Sequence, residues 1–133
     1  MTPELQFILL CSPGNTDPEK REAIKKAADV SLDWDRVFDI SARQRLLPLL
    51  YENTRELLPE EVAENVLSRF KSAYVSNSIK NLSYTGFLLK TIDLLEQSGV
   101  QVVPFKGPVM AEDVYGDIAL RVFSDLDILV SSS

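Results

Sequence analysis

Histidine is absent from these 133 residues, and cysteine occurs once, at Cys11. The first absence removes the commonest general base and the commonest zinc ligand together, so any catalysis or metal binding must rest on carboxylates. A lone cysteine excludes an internal disulfide. Long apolar runs are missing too. Leu5 to Cys11 is too short to span a bilayer, and no basic residues precede it as a signal peptide requires. These features predict a cytoplasmic protein with no membrane association. A surplus of positive charge is also lacking. The formal net charge is −6, and the fourteen Lys and Arg residues are scattered. A non-specific nucleic-acid binder needs a basic surface to displace counterions from phosphates, so nucleic acid is the least favoured partner. The clusters Lys20-Arg21 and Lys25-Lys26 read as the solvated face of a charged helix, with a phosphate site as the alternative. No internal repeat, low-complexity segment or Gly/Ser linker interrupts the chain.

What is present is an ordinary globular composition, 45% hydrophobic and 26% charged, long enough for one modest core. Ser12-Pro13-Gly14-Asn15 reads as a turn. Thr16 or Asp17 then caps a helix with Pro18 at its first position and Ile24, Ala27 and Ala28 on one side. Asp33 or Ser31 opens another helix at Trp34, with Trp34, Val37, Phe38 and Ser41 at helical spacing. It leads into Leu46-Leu47-Pro48-Leu49-Leu50-Tyr51, where Pro48 can begin or kink a helix but cannot sit in its middle. Pro59-Glu60-Glu61 is a strong helix start, and nothing clearly stops the pattern before Ser98-Gly99. The stripe Val62, Val66, Phe70, Ala73, Tyr74 and later Leu88, Ile92, Leu95 is the signature of core packing and not of a cofactor site. Asn77 to Gly86 is weaker helix, so a bend is allowed and one long helix or two is undecided.

After Gly99, suited to the left-handed turn that ends helices, Val100 to Phe105 reads as a buried strand. Pro108 to Tyr115 reads as a helix that closes near Gly116-Asp117, and a second strand covers Ser124 to Val130. Strand period puts Asp125 and Asp127 on one face, with Leu126 and Ile128 on the other. Two carboxylates so close repel unless a cation compensates, and oxygen-only ligands favour magnesium or manganese. Taken alone, the pair reads rather as a surface strand with two solvated aspartates. The balance shifts with Phe105-Lys106-Gly107 upstream, where glycine lets backbone amides approach a phosphate at the start of a helix.

Here the chain resembles the nucleotidyltransferase superfamily, whose pattern is a strand, a glycine-containing turn, a helix, and a strand bearing Asp-x-Asp or Asp-x-Glu. More closely, Val103-Pro104-Phe105-Lys106-Gly107, Tyr115-Gly116-Asp117, Leu120-Arg121 and Ser124 to Val130 are similar to a family of uncharacterised bacterial nucleotidyltransferases. The likeness is close over about the last thirty residues, and Asp33-Trp34 and Leu46 to Leu50 extend it in style through the helical part. The resemblance implies transfer of a nucleoside monophosphate from a nucleoside triphosphate to an acceptor, a sugar, small molecule or protein hydroxyl. It implies Asp125 and Asp127 as catalytic metal ligands for magnesium or manganese, Gly107 against the phosphates, and Lys106 and Arg121 adding positive charge there. Each of the two cations could equally cap a helix or pair with Asp117.

Three departures bear on this. Pro108 stands where the superfamily usually has serine or a second glycine, so one amide donor is missing. The interval between Pro108 and Asp125 is longer than the superfamily's, though shared with the closer family. The third carboxylate normally comes from a later strand, and only three residues follow Val130. The expected architecture is therefore α+β: a helical N-terminal region over 1–98, then over 99–133 the first strand-helix-strand of a nucleotidyltransferase-like α/β sheet. The chain reads as the N-terminal piece of a longer protein, inactive alone, with an open sheet edge prone to self-association. The competing expectation is a catalytically inactive binding or regulatory module of the same fold.

Overall fold

The computed structural model describes residues 1–12, 17–58 and 60–131, and the side chains of these except 61–63. The elements are α1 (Pro3–Cys11), α2 (Pro18–Ala28), α3 (Trp34–Arg43), α4 (Leu47–Thr54), α5 (Glu60–Gln97), β1 (Val102–Phe105), α6 (Gly107–Tyr115) and β2 (Asp127–Val130). The fold is α+β, mostly helical with a two-stranded sheet. The expected turn at Pro13 to Asn15, Thr16 as a cap, Pro59 as a helix start and the Val62 side chain lie outside the described residues.

Packing divides the chain into two compact units, Met1–Val75 and Ser76–Ser133, and α5 contributes to both. In the first, each helix starts as its local chemistry dictates. Asp17 caps α2 by accepting from the Lys20 amide at 2.8 Å, and Asp33 caps α3 by accepting from Arg36 at 3.1 Å. Pro48 falls in the first turn of α4, where its missing amide costs no intrahelical bond. Phe7, Cys11, Ile24, Val37, Leu50 and Phe70 form a fully enclosed apolar centre. The run Leu5 to Cys11, to which the sequence assigned no element, is a helix capped by Thr2, with Phe7, Ile8 and Cys11 inward. Burial pushes the Cys11 thiol up to about 12, as expected where apolar neighbours disfavour the thiolate. Ser41, on the predicted face of α3, is buried with its hydroxyl unpartnered among the described residues. The basic side chains of α2 lie at the surface, and Arg21 makes an exposed contact with Glu56 at 3.5 Å.

In the second unit, α5 runs on through Asn77 to Gly86 without a break, as one helix. It ends where Gly99 adopts φ +81°, so that the Val100 amide reaches back to the Leu95 carbonyl at 3.0 Å. The strands are shorter than expected, beginning at Val102 and Asp127, and they run antiparallel with Val102 opposite Val130 and Phe105 opposite Asp127. The Ser131 amide donates to Gln101 at 3.0 Å, which makes 101–131, 103–129 and 105–127 the directly bonded pairs. The backbone groups of Val102 and Pro104 therefore point out from the free edge of β1, and those of Ile128 and Val130 from the free edge of β2. Proline sits where its missing amide costs no ladder bond and blunts the β1 edge, while the β2 edge keeps its donors and acceptors.

Candidate functional site

The turn between β1 and α6 is strained. Lys106 holds φ +55° with ψ −153°, and Gly107 follows at φ +44°. The first conformation is one that glycine adopts freely and lysine does not, at a cost on the order of 1–3 kcal/mol. Such a turn points the backbone of residues 106–107 into the start of α6. In that first helical turn the Gly107 and Val109 amides have no intrahelical acceptor, and Pro108 has no amide to offer. The Lys106 carbonyl accepts from Met110 at 3.1 Å, and no side chain caps the helix. The result is a short helix whose positive end carries two outward donors, one fewer than usual.

The segment from Ile118 to Leu126 wraps back onto this turn. A methyl group placed on Gly107 would lie 3.5 Å from the Asp125 carbonyl oxygen and 3.9 Å from Leu126 Cδ2 and Phe123 Cδ2. The Gly107 carbonyl in turn accepts a long bond, 3.4 Å, from Arg121 Nη1. Asp127 pairs with Phe105 across the sheet, one residue before Lys106. The structure thus brings Gly107, Arg121 and the backbone of Asp125 together, with Asp127 on the adjoining strand pair. Lys106 Nζ lies 5.5 Å from the centre of the Phe105 ring, and its side chain is exposed.

The strand bearing the aspartates is shorter than its sequence suggested. Asp127 begins β2 and is half-buried, while Asp125 is exposed in the irregular segment before it. Strand alternation therefore governs Asp127 and not Asp125. Phe123, Leu120 and Ala119 are buried, and their apolar side chains help to anchor this segment. Asp117 turns the chain at the end of α6 by accepting from the Ala119 amide at 2.8 Å. Among the described residues no three His, Cys, Asp or Glu side chains gather as a metal cluster. The donor set at Asp125 and Asp127 is oxygen alone, which suits a hard divalent cation whose shell is completed by water and phosphate.

Two residues that sequence reasoning passed over shape this site. Asn77 Nδ2 donates to the carbonyls of Ala119 at 2.9 Å and Arg121 at 3.1 Å. Asn81 Nδ2 donates to Ile118 at 2.6 Å and Arg121 at 2.8 Å. Both asparagines are buried. A signal was available, because the apolar stripe of α5 continues from Phe70 and Tyr74 through Asn77 and Asn81 to Leu88. Amides on the buried face of a helix demand partners.

A strand, a strained glycine turn and a helix are thus followed by a second strand that opens on Asp127, with Asp125 two residues before it. The chain matches the family described as uncharacterised nucleotidyltransferase over residues 30–133, and it belongs to that family. No curated protein and no solved structure matches it. No helix among the described residues is long and apolar enough to cross a membrane.

Proposed function

We propose that residues 99–133 carry the first metal-binding segment of a nucleotidyltransferase domain. The reaction is magnesium- or manganese-dependent transfer of a nucleoside monophosphate from a nucleoside triphosphate to a small-molecule or protein acceptor. The observation that supports this best is the convergence of Gly107, Arg121 and Asp125 around one strained turn. A lysine held in a conformation that suits glycine, next to a buried glycine and an arginine, is a costly arrangement for packing alone.

In this reading Asp125 and Asp127 would hold the divalent ion, which supplies charge neutralisation to the phosphate undergoing transfer. Gly107 keeps side-chain atoms away so that the α6 amides approach phosphate oxygens, and the helix's positive end favours their charge. Arg121 lends its guanidinium to the same oxygens, a planar donor suited to bidentate contact. Lys106 adds a mobile charge from the turn itself. Nucleic acid remains the least favoured acceptor, given the net charge of −6. A cytoplasmic setting accords with the single, fully buried Cys11.

The unblunted β2 edge supports a further expectation, self-association by strand pairing at Ile128 and Val130. Sedimentation that shifts with concentration, and that Ile128→Pro abolishes, is the expected result.

Pro108 favours a second reading, a binding or regulatory module without catalysis, because it removes one phosphate donor. Calorimetry with manganese and each of ATP, GTP, CTP and UTP separates the readings. Metal-dependent binding that Asp125→Ala/Asp127→Ala abolishes is the outcome the enzyme reading expects. Nucleotide binding that the double variant leaves intact favours the module, and no binding by the unaltered chain removes the nucleotide site altogether.

A further inference from the structure

We infer that Asn77 and Asn81 are positioning residues for Arg121: their paired amides fix the 118–121 loop, and with it the Arg121 guanidinium on the Lys106–Gly107 turn. The inference rests on the proposed nucleotide site for its functional consequence, but its geometry stands independently. Two side-chain amides one helical turn apart on α5 present all four of their N–H donors to three carbonyls of one loop, those of Ile118, Ala119 and Arg121. The Arg121 carbonyl is the shared point and accepts from both. This loop has no strand or helix of its own, so these bonds take the place of a ladder. Because every acceptor is a carbonyl oxygen, the NH2 ends of both asparagines must face the loop.

An apolar residue at position 81 would leave loop carbonyls without this donor, but the asparagine carries a cost of its own. Asn81 is fully enclosed, and its Oδ1 has no hydrogen-bond partner among the described residues. An unpartnered buried acceptor is destabilising, and a leucine there would fill similar space without it. An asparagine retained at that expense serves the direction of its NH2 group, which is towards the loop and the residue whose side chain reaches Gly107. Carbonyl and guanidinium belong to one residue, so holding the first sets the origin of the second. Neighbouring side chains support the same loop without directing it. Phe123 packs on Tyr84 with ring centres 6.1 Å apart, and Leu120 and Ala119 are buried.

The test compares the unaltered chain with Asn81→Leu, Asn77→Leu, Arg121→Gln and Asn81→Leu/Arg121→Gln. Amide hydrogen exchange is read without any ligand, and binding with manganese and each of the four nucleoside triphosphates. In Asn81→Leu, amides of residues 119–126 should exchange about tenfold faster, while those near Val37, Leu50 and Phe70 stay as they were. Nucleotide affinity should fall about ten- to a hundredfold, and the double variant should bind no more weakly than Arg121→Gln alone. Asn77→Leu should move in the same direction. Unchanged exchange at 119–126 overturns the inference, as does an Asn81→Leu loss that adds in full to that of Arg121→Gln. If the unaltered chain binds no nucleotide, the nucleotidyltransferase reading falls, and the ligand-free exchange still decides whether the asparagines hold the loop.

Discussion

The two packed units of this chain are stabilised by different means. Residues 1–75 enclose Phe7, Ile24, Val37, Leu50 and Phe70, and their helices open on Asp and Pro caps. Residues 76–133 bury less: Leu88, Ala111, Ala119, Leu120 and Phe123 are small or few, while Phe87, Leu94, Val103 and Leu129 stay exposed. What the second unit has instead is polar and directional: two buried asparagines, an arginine on a carbonyl, and a lysine in glycine's conformation. Stability that depends on apolar burial is insensitive to direction, because the hydrophobic effect has none. The proposed site for phosphates and a cation would need direction, and strain and buried amides concentrate near the segment that carries its aspartates.

The largest effect should come from opposing one residue type across the two units. Phe70→Ala, at 1% exposure, should cost about 3–5 kcal/mol, whereas Phe87→Ala, at 66%, should stay within about 0.5 kcal/mol. Urea denaturation followed by circular dichroism measures both. Cys11 gives a second probe, since its enclosed thiol should react with a disulfide reagent at pH 8 only as the first unit opens. A loss at Phe87 comparable to that at Phe70 would break the contrast between the units.

Strain makes the next contrast. Lys106→Gly should raise stability by about 1–2 kcal/mol, and it should weaken metal-dependent nucleotide binding in calorimetry. Gly107→Ala should do the reverse to stability, lowering it by about 1–2 kcal/mol, because its φ is +44°. If Lys106→Gly lowers stability, the turn is not strained and the site argument weakens.

The smallest effect belongs to a carboxylate of the first unit, Glu4. Glu4 is held below its ordinary value of 4.5 because its own backbone amide, and then that of Asp33 at 3.3 Å, donate to it. A carboxyl with a depressed folded-state pKa contributes stability above its unfolded value and loses it as pH falls through the folded one. Glu4→Gln should therefore lower stability slightly at pH 7 and flatten the acid side of the stability profile between pH 5 and the folded pKa. Thermal melts across that range measure it.

Most helices were readable from local signals. Asp17, Asp33, Gly99 and Gly116 each start or stop a helix through bonds made within a few residues, and Pro48 starts one through its fixed φ. The first helix escaped because Leu5 to Cys11 is apolar on nearly all sides and shows no period to read. The continuous course of α5 was equally undecided, since its weak stretch is held by partners about forty positions away, such as Arg121 for Asn81. Strand lengths were overestimated for a related reason. The expected second strand began at Ser124, but the pairing that defines a strand begins only where β1 supplies an opposite residue, at Phe105 with Asp127.

By itself the sequence determined what depends on neighbours along the chain: helix caps, the apolar stripe of α5, the glycine turn after β1, and the spacing of Asp125 and Asp127. Only the tertiary structure decided what depends on distant partners: the antiparallel register, the strain at Lys106, the seat of Arg121 on Gly107, and the use of Asn77 and Asn81. The physical reason is range. A cap or a turn is satisfied by groups three or four residues away, whereas a buried amide must be satisfied by whatever carbonyl the fold brings to it.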